Sequence, residues 1–193
     1  MPSQLTTARY CSLLLAILLF TFSSFNSFEV RPDKQISDPD LHAIRKQLVS
    51  ALDNKQTTDS LYNSLAAIKN RSALINGYMA TLEALKAKHV WNPYFKIKYL
   101  NDSQTTFKAA VAKDPHNIEI RFMRFSIEHN LPKFLGYDDN LISDRLEMIK
   151  QIDNKNYSAA DQHLVKAIIL FLIDSKRCTA SETNKLQQQL AAL

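Results

Sequence analysis

Glycine and proline are scarce in this chain, with two and six residues among 193. That scarcity excludes collagen-like and low-complexity sequence, glycine loops that cradle phosphates, and sandwiches that need a turn every ten residues or so. A serine nucleophile elbow of the form G-x-S-x-G is also excluded, because Gly77 and Gly136 lie far apart. Cysteine is nearly absent too: Cys11 and Cys178 form neither a CxxC motif nor a disulfide framework. Charge of one sign is not concentrated, since a net +5 comes from lysines scattered among acids. This argues against a nucleic-acid partner, which a basic stripe interleaved with aromatics would mark. A mean hydropathy of -0.22 excludes a polytopic membrane protein. What remains is a chain long enough for one domain with a sizeable core, and nearly all of it is expected to be helix.

The first 28 residues carry a single charge, Arg9, and the run CSLLLAILLFTF from Cys11 to Phe22 is apolar apart from Ser12 and Thr21. It falls short of the roughly 20 residues needed to cross a bilayer. The following SSFNSF is small and polar, so residues 1–28 read as an export signal, and cleavage after Ser23 fits the small-x-small rule. An uncleaved anchor, extended by Phe25 and Phe28, is the alternative. Lipidation of Cys11 is not expected, because that residue opens the apolar run instead of closing it. Loss of the segment would leave Cys178 as the one cysteine, and one fewer than the chain's 24 basic residues against its 19 acidic ones. Packing alone must then hold the fold. The expected localisation is periplasmic or secreted.

Residues 29–37 read as a linker and 38–193 as a single helical domain. Asp38-Pro39 opens a helix with Leu41, Ile44, Leu48 and Leu52 on one face, and Thr57, Thr58 and Asp59 restart a second with Leu61, Leu65 and Ile68. Ser72 caps a third, in which Gly77 is explained by close approach of a neighbouring helix. Asn92-Pro93 starts a fourth that runs to about Lys113, and the turn Asp114-Pro115-His116-Asn117 leads into a fifth from Ile118 to about Asn130. That fifth helix has two apolar stripes, Ile118/Phe122/Phe125 and Ile120/Met123/Ile127, so it must be packed between two neighbours. Arg121, Arg124 and Glu128 lie between the stripes, and Arg124 to Glu128 has the spacing of a helical ion pair. The loop from Leu131 to Tyr137 is apolar and must pack on something. A sixth helix spans about Asn140 to Ile152, Ser158 caps a seventh whose run Ala167 to Ile173 is apolar on every side and reads as the centre of the core, and a last one spans about Ser181 to Leu193.

The turn segment Phe107-Lys-Ala-Ala110-Val-Ala-Lys-Asp114-Pro115-His-Asn117 resembles the tetratricopeptide repeat, and the likeness covers about residues 72 to 131. No second copy recurs at the 34-residue period, and Lys86 to Tyr99 is an insertion relative to the repeat. The resemblance implies antiparallel, repeat-like packing of about eight helices, in which Phe107 and Ala110 face the preceding helix. The run NPYFKIKYL, followed by NIEIRFMRFSIEHNLPKFLGY, resembles a group of small exported bacterial proteins of unknown function. That likeness implies export and a helical fold, and brings no activity with it.

No metal site is expected: none of His42, His89, His116, His129 and His163 belongs to an HExxH, and no two sit three or four residues apart. No cofactor or catalytic residue is assigned. The adjacent carboxylates Asp138 and Asp139 precede a helix, where capping explains them. A cluster of binding character remains: Lys96, Tyr99, Arg121, Arg124, His129, Lys133 and Tyr137. Arginines flanked by tyrosines suit carboxylates, phosphates or an acidic peptide, because the guanidinium fork donates two parallel hydrogen bonds. The competing reading is that Arg121 and Arg124 tie helices together through Glu119, Glu128 or Asp144. The expected function is a non-catalytic binding or scaffolding protein of the cell envelope. Its expected partner is a protein or peptide, with an acidic one among the options, and a membrane only if the N-terminal segment is retained. The alternatives are a small hydrolase pairing His129 or His116 with a carboxylate, and a membrane-tethered accessory protein.

Overall fold

The computed structural model describes residues 38–193; the expected export signal and linker lie outside the described residues. Eight α-helices and one 3-10 turn follow one another, with no strand among the described residues: α1 (Asp38–Ala51), α2 (Lys55–Ala66), α3 (Ala73–His89), α4 (Pro93–Lys113), α5 (Ile118–Asn130), the 3-10 turn Lys133–Leu135, α6 (Leu141–Asp153), α7 (Gln162–Asp174) and α8 (Ala180–Ala191). The all-helical expectation therefore holds. Local chemistry sets most of the starts. Ser72 accepts from the Ile75 amide, Asn92 from Tyr94 with Pro93 at the first helical position, and Asn117 from Glu119 and Ile120. Among the described residues, no helix is long and apolar enough to cross a membrane.

Three boundaries differ from expectation. The second helix starts at Lys55, capped by Asn54, while the Thr58 hydroxyl donates back to the Ala51 and Asn54 carbonyls. Ser158 caps nothing: its φ of 53° is left-handed, whereas a capping residue is extended, and Asp161 caps α7 by accepting from Leu164. The last helix begins one residue early because Thr179 and Glu182 form a capping box. The run Ala167 to Ile173 is also less central than its composition suggests. Ile168, Ile169 and Leu172 are buried, but Leu170 faces solvent. Leu52, expected on an inner face, is likewise exposed.

Two hydrophobic cores organise the chain. The first gathers Leu41 and Ile44 of α1, Leu61 and Leu65 of α2, most of α3, and Phe107 and Ala110 of α4. The second gathers α6, α7 and Leu186 of α8. Helix α5 serves both, as its two stripes require: Ile120 and Met123 enter the first core, Ile118 and Phe125 the second. Helices α3 and α4 run in opposite directions, since Lys113 donates to the Arg71 carbonyl, Ser103 to Ala80, and Lys96 to Ala87.

Gly77 marks where α5 comes closest to α3. A Cβ there would lie 2.7 Å from Met123 Cε and 3.3 Å from Ile120 Cγ1. A long side chain at 77 must displace the Met123 methyl and crowd Ile120, and overpacking of this kind costs about 1–3 kcal/mol. Gly77→Leu is accordingly expected to lower the urea midpoint, and Met123→Ala in the same chain to recover part of the loss. Strictly additive effects of the two substitutions would argue against the contact.

Candidate functional site

The two arginines of the expected cluster are engaged inside the protein. Arg124 is buried and forks onto Asp144, with Nε to Oδ2 at 2.7 Å and Nη2 to Oδ1 at 2.6 Å. Arg121 adds Nη1 to Asp144 Oδ1 at 2.8 Å and donates twice to the Pro115 carbonyl. Asp144 is wholly buried on α6, so these bonds tie α5 to α6. The expected Arg124 to Glu128 pair does not form. Glu128 instead accepts from the Asn140 backbone and side-chain amides at 3.0 and 2.7 Å, which fixes the start of α6. Burial raises the pKa of the Glu128 carboxyl, and the Asn140 bonds offset part of that rise.

The other five candidates are dispersed. His129 stacks on Phe125, and its Nδ1 accepts from Arg177 Nε at 2.8 Å. Burial and the guanidinium both hold it below the usual imidazole value. A histidine facing a cation has no carboxylate to orient it as a base. His116 does reach an acid, Glu147 Oε1 at 2.7 Å, but its side chain is 59% exposed on the surface. Among the described residues, no group of three histidine, cysteine or acidic side chains could hold a metal ion. The Cys178 sulfur sits 3.5 Å from the Leu172 carbonyl, and burial raises its thiol pKa. Lys96 donates to the Ala87 carbonyl, Tyr137 to Asn101 Oδ1, and Lys133 is exposed in the 3-10 turn. Tyr99 and Tyr137 do meet around one small cluster, Ala84, Ala87 and Leu100, onto which Leu131 and Leu135 also pack. The apolar loop thus packs onto the junction of α3 and α4.

That junction carries a feature that residue type alone does not reveal. Lys96 donates to Ala87, so the first turn of α4 lies beside the last turn of α3, and the turn between them ends at Trp91 and Asn92. Trp91 is 85% exposed and Tyr94 71%, and Phe95 and Ile97 are also open to solvent. The Tyr94 and Phe95 rings meet edge to face at 5.4 Å. Phe134, on the loop packed against the same junction, is 86% exposed. Large apolar side chains gathered in the open are informative where an isolated one is not. From 86 to 98 the sequence also has four lysines, one histidine and no acid. This absence of acids over thirteen residues is the signal that the sequence offers for the corner.

Beside the corner lies a cavity of about 30 Å³, lined by Lys55, Thr58 and Asp59 of α2, Lys86 and His89 of α3, Val90, and Tyr99 of α4. It has room for about one water. Lys86 stands 3.2 Å above the Tyr62 ring, and burial lowers its pKa. Three residues back along α3, Glu83 is buried. Its Oε1 accepts a long bond from Tyr62, and its Oε2 has no partner. Burial raises the Glu83 pKa, an effect that Thr106 and Tyr62 offset only in part.

A scan against protein-family models finds no match, and comparisons with curated proteins and with solved structures find none either.

Two measurements follow from this geometry. Arg124→Ala leaves Asp144 with Arg121 alone, so the expected loss lies toward the lower end of about 3–5 kcal/mol in urea unfolding. An unchanged midpoint would free Arg124 for a ligand. Glu83 has the opposite character. Because its folded-state pKa is raised, its contribution is fully present below the unfolded value and is lost as pH rises through the folded one. Glu83→Gln is therefore expected to match the parent's stability near pH 4 and to exceed it at pH 7. Equal stability of the two at both pH values would show that the Glu83 carboxylate carries no burial penalty.

Proposed function

We propose that this chain is a non-catalytic binding or scaffolding module of the cell envelope, with tetratricopeptide-like packing over residues 72 to 131, exported by its N-terminal segment. The observation that carries the reading is the exposed corner formed by Trp91, Tyr94, Phe95 and Ile97 at the start of α4. A fold that buries two cores has no packing reason to leave these side chains in water. Tryptophan and tyrosine are also the side chains most often found at the energetic centre of an interface. The lysines around the corner suit a partner that carries negative charge. The arginines expected to recognise such a partner are bound to Asp144 instead, so recognition moves from α5 to the end of α3 and the start of α4.

Trp91→Ala combined with Phe95→Ala removes two exposed rings and touches neither core. The double variant is expected to melt within about 0.5 kcal/mol of the parent, as surface substitutions do. It is also expected to lose retention of the full chain on envelope extract. Retention unaffected by the substitutions would place the binding surface elsewhere.

A further inference from the structure

We propose that the corner from Lys86 to Lys98 seats the protein on an anionic lipid surface, a proposal that rests on the reading of this corner as the binding surface. Two observations select a bilayer over an acidic protein or nucleic acid. The first is composition: Trp91, Tyr94, Phe95 and Ile97 alternate with Lys88, Lys96 and Lys98 and with no acid, the mixture of amphipathic rings and cations that sits at headgroup depth.

The second is the choice of cation. Readers of discrete carboxylates and phosphates favour arginine, whose fork pairs two oxygens at once. Every arginine among the described residues donates inside the protein: Arg45 to Glu119, Arg71 to Asn76, Arg121 and Arg124 to Asp144, Arg145 to the Arg177 carbonyl, and Arg177 to His129. The corner has lysine alone, a point charge on a flexible stem that can rise to the interface while its methylenes lie along apolar surface. Lys88 and Lys98 do pair with Asp53 and Asp102, but all four side chains are well exposed. Exposed pairs of this kind contribute only about 0–1 kcal/mol and yield readily to a stronger field.

Trp91 is the chain's one tryptophan, so its fluorescence reports on this corner alone, whatever residues 1–28 do. The experiment titrates the full chain with vesicles of phosphatidylcholine, with and without phosphatidylglycerol, some of them brominated near the headgroup. The expected result is a shift of emission to shorter wavelength and quenching by bromine on the anionic vesicles only. Salt on the order of 1 M, where the screening length falls to about 3 Å, should reverse both. Lys88→Gln with Lys98→Gln, the two well-exposed lysines of the corner, is expected to weaken binding about thirtyfold, since each lysine near an anionic leaflet contributes about fivefold. Lys108→Gln with Lys166→Gln removes the same charge from exposed sites elsewhere on the chain and should leave binding unchanged.

No shift on anionic vesicles, an equal shift on neutral ones, or an equal shift with soluble polyglutamate each overturns the proposal. The comparison on the unsubstituted chain decides the matter even if a lysine variant fails to fold. Should vesicles leave Trp91 unmoved while envelope extract is still retained through it, the lipid falls and the binding module stands. Failure of both removes both.

Discussion

The fold depends on one constraint: α5 is apolar on two opposite sides, so it must be covered twice, and the polar residues on the two flanks between its stripes must then be satisfied inside the protein. Glu119 meets Arg45 of α1 through two bonds, at 2.9 and 2.7 Å, and Tyr78 of α3 through a third at 2.5 Å. Arg124 and Arg121 meet Asp144 of α6, and Glu128 meets Asn140. These contacts have protonic consequences. The bond to Glu119 raises the Arg45 pKa further, while burial and the neighbouring carboxylate raise that of the Tyr78 hydroxyl. Arg45 therefore stays charged and Tyr78 neutral across any physiological pH. A buried ion pair adds little net stability over an apolar equivalent, but breaking one partner away costs several kcal/mol. Pulling α1 or α6 away from α5 would leave Glu119 or Asp144 in the interior without its arginine. The polar flanks thus favour the arrangement that the two apolar stripes permit.

This division explains what can be read from the sequence. The stripes of α5 are legible because helical periodicity is local, and from them it follows that α5 is packed between two neighbours. The caps Ser72, Asn92 and Asn117 and the close approach at Gly77 are legible for the same reason: each is decided within a turn or two of chain. The choice of partner for Arg124 is not, although Asp144 stands among the three acids that the sequence offers it. Local spacing offers Glu128 four residues on, but Glu128 is committed to Asn140, and the guanidinium takes an aspartate twenty residues away. Tertiary competition of that kind leaves no periodic trace. Lys96, Tyr99, Arg121, Arg124, His129, Lys133 and Tyr137 have residue type in common, and type does not distinguish a side chain that donates inward from one that faces water.

The exposed corner is hidden for the opposite reason. Trp91, Tyr94 and Phe95 are residues that pattern arguments assign to a core. Their exposure is a tertiary property that no local pattern encodes. Ser103 bonded to Ala80 and Lys96 bonded to Ala87 set α3 and α4 side by side up to the turn that carries Trp91.

The corner is also held by interactions separate from the polar flanks of α5. Asn92 caps α4, Val90 closes α3 through its bond to the Lys86 carbonyl, and the loop behind them turns at Gly136, whose φ of 70° a side chain would strain. None of these contacts involves Glu119, Asp144 or Glu128. The two parts of the molecule therefore answer to different physical demands: the polar flanks of α5 favour this arrangement of the chain, and the corner is free to vary with what it meets. Because all the described arginines are engaged in holding the interior together, recognition at the surface is left to lysine and to aromatic rings. That distribution of cation types favours a broad anionic surface over a single bidentate ligand, and it follows from the demands of the interior.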